Sequence, residues 1–535
     1  MGVNSKHGYL ALLLHAHLPY VRHPEHAFSL EEHWLHEAIT ETYVPLLQMM
    51  ERLVADRVDF RLTFSLTPTL VTMLRDPLLQ SRYLQRVDRL IELARKEMKR
   101  TERDPAFYDL ASMYFSRLLA IRDAFVNDYQ KDLVSGFKRF MDLGKIEIAA
   151  SAATHAYLPL LSVVPSSVRA QISIGIRHFE QVFARKPRGF WLPECGYYPG
   201  VEEVLRDFGI QFIVLETHGV THAEPRPKYG VYAPFYCPSG VAVLGRDAES
   251  SRQVWSSLEG YPGDYDYREF YRDVAYDLDL DYVRPYIHPD GIRLDTGIKY
   301  YRITGKGDHK EVYVPRWAEA KAETHAGNFM FNREKQIEYL ASIMDRKPLI
   351  VAPYDAELFG HWWYEGPVWL DRLIRKVEQE QDTFRLITPS EYLEEYPVNQ
   401  VCLPSMSSWG HRGYNEVWLQ DSNAWIYPAL HSASSVMERL ARKDPTTDLE
   451  RRALNQAARE LLLAQASDWP FMICNGSTAR YARARLETHL HRFETLAEEI
   501  QRGKIDLDGL GRMEELDAIF ESVDYRAFAP NPPGL

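Results

Sequence analysis

Two acidic side chains stand out because each closes an apolar run and each is ringed by aromatics. Glu194 lies in GFWLPECGYYPG (189–200), beside Trp191, Tyr197 and Tyr198, and Asp355 lies in LIVAPYDAELFGHWWYEGP (349–367), ahead of His361, Trp362 and Trp363. A lone Glu before a helix is ordinarily a turn cap. Two strand-end carboxylates in like settings are what acetal cleavage uses, one to protonate a departing oxygen and one as nucleophile or water-activating base. The acid must keep its proton near neutrality, which calls for apolar or anionic surroundings. Asp355, between Tyr354 and the Phe359, Trp362 and Trp363 group, has the more apolar setting and is the expected acid/base. Glu194, with Arg246 and nearby histidines to hold it ionised, is the expected nucleophile.

Further residues have chemistry that fits such a site. His15 and His17 follow the apolar run Tyr9–Leu14; on an extended chain positions i and i+2 share a face, at the strand end where α/β barrels build their sites. The pair could hold a metal, but no cluster with ligand spacing accompanies it, so hydrogen bonding to a substrate is the favoured reading. His155 follows a third strand in SAATHAYLPLL. Trp34, in EEHWLHEAI, opens an amphipathic helix to about Val54 and reads equally as core or as a sugar platform. Arg246 ends a short strand beside Asp247, either as its salt-bridge partner or to orient the nucleophilic carboxylate.

These residues need a scaffold. Apolar runs of strand length recur at Tyr9–Leu14, Lys145–Ala150, Phe190–Pro193, Gln211–Leu215, Val241–Leu244 and Pro348–Pro353, with further strands at Asp59–Ser65 and Phe384–Ile387. Continuous apolar strands separated by helical patterns indicate a parallel sheet, so the expected class is α/β, a barrel of seven or eight strands over residues 1–396. Residues 68–144 are helical with dense charge and read as an insertion whose charged run is solvated. Residues 308–331 are polar and expected to cover one side of the site, with a helix following from Asn332 to Asp345. The stretch from His218 to Gly240 is rich in proline and glycine and carries Tyr229, Tyr232 and Tyr236, so it reads as a ligand-facing loop. Beyond residue 397 a loop with three tryptophans, Trp409, Trp418 and Trp425, leads into helices broken once at SDWPFMICNGS. Residues 397–535 read as a C-terminal helical domain whose Trp-bearing loops face the barrel.

The 535 residues carry a net charge of −12, from 75 acidic and 63 basic side chains, which offers no phosphate-neutralising surface and excludes nucleic acid as the expected partner. A neutral polymer is not repelled. Aromatics make up 12%, including 32 Tyr and 11 Trp, enough to supply flat platforms for sugar rings as well as core. Four cysteines (195, 237, 402, 474) form no C-x-x-C pair, which fits a reducing cytoplasm. No run approaches the roughly 18 apolar residues of a membrane span, and histidines interrupt the first apolar run, which reads as a strand and not a signal peptide.

Taken together, HAHLPY (15–20), WLPE (191–194), PYDAELFGHWWYEGP (353–367), SSWGHRGYNEVW (407–418) and SDWPF (467–471) resemble glycoside hydrolase family 57, and within it the 1,4-α-glucan branching enzymes. The resemblance implies an incomplete seven-stranded (β/α) barrel with an inserted helical segment and a C-terminal all-helical domain. It implies Glu194 as nucleophile and Asp355 as proton donor, acting on an α-1,4-glucan without metal or organic cofactor. Arg246, Gly263, Trp409 and Asp468 are then substrate contacts and Trp418 a further platform, joining His15, His17, Trp34, His155, Trp191, His361 and Trp362. Hydrolysis or transfer to a 4-hydroxyl are the alternative outcomes of the same intermediate. Branching members carry a long mobile loop with a tyrosine near its tip between the nucleophile and the arginine. Here that interval is shorter, and Tyr232 and Tyr236 are the candidates for the role.

Overall fold

The computed structural model describes residues 6–256 and 259–530. Its strands are β1 (Gly8–Ala16), β2 (Leu62–Leu66), β3 (Ile146–Ser151), β4 (Gly189–Trp191), β5 (Phe212–Leu215), β6 (Phe235–Tyr236), β7 (Ala242–Gly245), β8 (Leu349–Asp355) and β9 (Phe384–Leu386). Seven of them run parallel in the order β7-β5-β4-β3-β2-β1-β8. The ring closes through a bridge between Arg246 and Val351, where Asp247 N–H donates to Val351 O at 2.9 Å. The result is a (β/α)7 barrel with one thin seam.

The uninterrupted apolar runs are explained by burial on both faces. In β1, Leu10, Leu12 and Leu14 pack outward under helices, while Tyr9, Ala11 and Leu13 pack inward with Phe212, Val214, Leu244 and Val351 to fill the barrel. β9 is not a stave of the ring. It pairs only with the first residues of β1, Gly8–Leu10, so the expectation that Phe384–Ile387 completes the barrel is corrected.

The first helical stretch is α1 (Glu32–Ala38), which continues through one wide π turn, Ile39–Tyr43, into a helix at Val44–Ala55. The insertion contains α2 (Pro77–Arg100) and α3 (Pro105–Asp123) among its helices. The helix expected from Asn332 to Asp345 starts earlier, and residues 315–331, expected only as a polar cover, are the first half of α4 (Pro315–Ile343). Its buried stripe opens with Ala318, Ala322 and Ala326 ahead of Phe329 and Met330, small side chains that give a weak sequence signal but let the helix lie close on the one at Gly366–Gln379. The C-terminal part holds α5 (Ile426–Leu440), α6 (Asp448–Ala464), a short α7 (Asp468–Asn475) and α8 (Ala479–Arg502).

No residue of the 218–240 stretch lines the cavity that holds the two carboxylates. After β5 the chain must return to the far end of the barrel to start β7, and this segment makes that return without a long helix. Leu349 N–H, at the start of β8, donates to Tyr232 O at 2.8 Å, which places Tyr232 at the barrel end opposite the carboxylates. Tyr236 belongs to β6, with its hydroxyl on Pro397 O at 3.2 Å.

Candidate active site

A cavity of about 880 Å³ opens over the C-terminal ends of the barrel strands, and both carboxylates line it. Glu194 lies three residues past the end of β4, with backbone φ of 62°, and Cys195 beside it has φ of 51°. Left-handed conformations cost non-glycine residues on the order of 1–3 kcal/mol and recur at functional sites. Here the turn aims Glu194 into the cavity while Cys195 and Trp191 point into the barrel core. Gly196 completes the turn, since a Cβ there would lie 2.5 Å from the Tyr157 ring.

Glu194 is held by groups from the C-terminal part of the chain. Trp409 Nε1 donates to its Oε2 at 2.8 Å and Ser467 Oγ donates to its Oε1 at 3.1 Å. His155, also at positive φ, links to Ser467 Oγ through Nδ1 at 2.9 Å and to His15 Nε2 through Nε2 at 3.0 Å. His17 lies between Thr67 Oγ1 at 3.0 Å and Asp468 Oδ1 at 2.9 Å, with its ring stacked on His155. His15 is therefore joined to Glu194 by a hydrogen-bonded chain through His155 and Ser467, and His17 stacks on that chain from its place between Thr67 and Asp468. Arg246 also lines the cavity, but it pairs with Glu216 at 2.7 Å and donates to Ser251, so Glu216 and not Glu194 is its ionic partner. The expected Arg246–Glu194 pairing is replaced by donors that arrive from residues 409 and 467.

Asp355 ends β8, opposite His15 in the β1–β8 register. Burial raises its pKa well above the usual carboxylate range, the negative charges of Glu357 and Glu194 add to this, and Arg246 opposes it. Glu194 is raised less: burial pushes it up and Asp468 adds to that, but the Trp409 and Ser467 hydrogen bonds and the His17 charge pull it down. Burial alone would discharge His17, yet Asp468, Glu194 and Glu357 outweigh it and raise its pKa. This asymmetry lets one carboxyl keep a proton while its neighbour is ionised.

Glu357, Glu41 and Tyr43 were not singled out from the sequence. Glu357 Oε1 accepts from the Tyr43 hydroxyl and from His17 N–H at 3.2 Å, and burial pushes its pKa up to about 7. Glu41 and Tyr43 lie on the π turn, a feature frequent at functional sites. Glu41 binds His361 Nδ1 and Arg268 Nη2, each at 2.9 Å. Gly360, at φ of 117°, is required here because a Cβ would lie 1.8 Å from Glu41 O. The signal available was the glycine in LFGHWW, which marks a close backbone approach.

Trp34, His361, Trp362, Trp409, Trp418 and Asp468 all line the cavity. Trp418 is only 1% exposed and stacked on Tyr157, so little of it is free as a platform. Trp191 does not line the cavity; it stacks beneath His15 at 4.7 Å and plugs the barrel core. Gly263 is also elsewhere, in a turn that Tyr261 anchors on α4 through Asn328 Oδ1 at 2.7 Å. Among the described residues one His/carboxylate group has metal-like spacing, Glu460, His489 and Asp517, but it lies in the C-terminal helices, lines no part of the cavity, and has Arg485 and Arg492 on Asp517.

The family model for glycosyl hydrolase family 57 matches residues 11–406. The chain belongs to that family. A second model, for the C-terminal region of 1,4-alpha-glucan branching enzymes, matches residues 429–528. Among family relatives, the 1,4-alpha-glucan branching enzyme TK1436 of Thermococcus kodakarensis is 33% identical over 99% of this chain and 80% of its own. A crystal structure described as the novel alpha-amylase AmyC from Thermotoga maritima is 42% identical, with TM-score 0.92 over 98% of this chain and 99% of that one. The GH57-type branching enzyme from Pyrococcus horikoshii is 31% identical, with TM-score 0.88 over 99% and 98%. Family membership accounts for the seven-stranded barrel and for helices that close over its carboxyl-terminal face.

Proposed function

We propose that this protein is a retaining 1,4-α-glucan branching enzyme, with Glu194 as nucleophile and Asp355 as acid/base. The observation that carries the reading is the contrast between the two carboxyls: Glu194 accepts two hydrogen bonds, while Asp355 is buried beside two other carboxylates that, with burial, push its pKa well above the usual range. Glu194 attacks the anomeric carbon of an α-1,4-glucan, the bond to the departing 4-oxygen breaks, and Asp355 gives that oxygen its proton. In the second step Asp355 takes the proton of an incoming 6-hydroxyl. That oxygen bonds to the anomeric carbon as the ester to Glu194 breaks, leaving an α-1,6 branch. The match to the branching-enzyme C-terminal model and the 33% identity to a branching enzyme support the choice of acceptor.

A second outcome, hydrolysis, is favoured by two observations: the 42% identity to a protein described as an α-amylase, and the position of Tyr232 and Tyr236 away from the cavity, so that neither serves as a tyrosine-tipped lid. Incubation with amylose followed by proton NMR decides between them. Growth of the α-1,6 anomeric signal, with chains released by a debranching enzyme, is expected; new reducing ends with no α-1,6 signal would assign hydrolysis. A cytoplasmic place in storage-glucan synthesis fits four unpaired thiols and a described chain in which no helix is long and apolar enough to cross a membrane.

A further inference from the structure

The cavity does not end at the carboxylates. Its lining continues past Glu357 and His361 to side chains of the helical insertion: Arg86 and Leu90 of α2, and Tyr114, Arg117 and Leu118 of α3. The adjoining wall is the 268–299 stretch, through Arg268, Phe270, Asp295 and Lys299, to which Arg86 and Tyr114 are hydrogen-bonded. The insertion is thus not only a solvated excursion; one face of it forms a second arm of the cavity.

We propose that this arm binds the acceptor chain, a second α-glucan segment distinct from the one attached to Glu194. The inference rests on the transglycosylation reading above. Its first support is position. In a retaining enzyme the acceptor enters on the side from which the leaving chain departed, the side served by the acid/base. The residues that lead into the arm are those that follow Asp355: Glu357, His361, Trp362 and Tyr364. Glu194 is instead contacted by Trp409 and Ser467, so the covalently held donor lies toward the C-terminal helices.

The second support is the chemistry of the walls. Trp362 is 56% exposed and lies parallel to Phe270 at 4.9 Å, which offers a flat platform at the mouth of the arm. Deeper in, two of the cations are paired, Arg268 with Glu41 at 2.9 Å and Lys299 with Asp295 at 2.8 Å. Arg268 and Arg117 both lie over the Tyr364 ring, at 3.8 and 4.4 Å from its centroid. Paired charges present donors and acceptors together, which matches hydroxyls that both give and take hydrogen bonds.

Two measurements test this. The first compares α-1,6 transfer with hydrolysis per turnover in Arg117→Ala and Trp362→Ala on amylose. The ratio is expected to fall about five- to tenfold, the loss of one or two contacts. The second measures maltohexaose binding to Glu194→Gln by calorimetry, with and without the same substitutions, and a comparable loss of affinity is expected. Unchanged ratio and affinity in folded variants would overturn the proposal; should Arg117→Ala fail to fold, the surface position of Trp362 keeps the test decisive. If the parent makes no α-1,6 bonds, the branching reading falls, and the arm then stands or falls on the binding measurement alone.

Discussion

Trp409 Nε1 lies 2.8 Å from Glu194 Oε2, a hydrogen bond between residues 215 apart in the chain. It ties the strand-end carboxylate to the loop ahead of the C-terminal helices. A charge-assisted hydrogen bond of this kind contributes about 1.5–3 kcal/mol. Trp409→Phe keeps the ring and removes the donor, so kcat on amylose is expected to fall roughly 10- to 100-fold. A change smaller than twofold would show that the indole N–H does not support the nucleophile.

Replacing the nucleophile itself has a sharper signature. Glu194→Ala is expected to lose about 10³-fold or more of the parent rate. Added azide should restore turnover with an activated glucosyl donor and yield a glycosyl azide of inverted configuration. Product of retained configuration would remove Glu194 from that role.

The pH profile reports on Asp355. Glu357 and Glu194 hold its pKa up by repulsion, after burial, and the protonated form is the one that donates. Glu357→Gln removes one negative charge, so the Asp355 pKa falls and the alkaline limb of kcat/KM moves to lower pH. A limb that stays in place or moves upward would contradict the coupling.

The same substitution changes stability in a defined window. The folded-state pKa of Glu357 is raised to about 7 from an ordinary 4.5, so the folded protein binds its proton more tightly than the unfolded chain does. Stability from this group is then full below about pH 4.5 and is lost as pH rises through about 7. Glu357→Gln cannot ionise and keeps an acceptor for the Tyr43 hydroxyl. Its Tm relative to the parent should therefore rise between pH 5 and 8, by the equivalent of at most about 3 kcal/mol.

Gly360→Ala tests the contact between the π turn and the β8 loop. The added Cβ meets Glu41 O at 1.8 Å, at a φ that L-residues rarely adopt. A loss of about 2 kcal/mol or more is expected by thermal or urea denaturation. Activity should fall with it, because the displaced turn carries Glu41 and Tyr43.

Much of this molecule was legible in its sequence. The apolar runs at residues 9–14 and 348–353 needed no tertiary information to be read as doubly buried parallel strands, because continuity of hydrophobic residues is itself the signature of burial on both faces. The C-terminal ends of the runs at 190–193 and 348–353 named Glu194 and Asp355. What the sequence could not carry was direction and partnership across distance. Arg246 was a reasonable partner for Glu194 by its place at a strand end, yet Glu216 takes it, and the donors to Glu194 arrive from residues 409 and 467. Trp191 stood three residues from the nucleophile, but the left-handed turn at Glu194 sends the two side chains to opposite places. Tyr232 looked ligand-facing until the barrel's topology required its segment to travel to the opposite end. Periodicity and residue type are local properties and survive in the sequence; side-chain aim after a turn, and which of several charges a buried carboxylate meets, are decided only when the strands close into a ring and the C-terminal helices cover it.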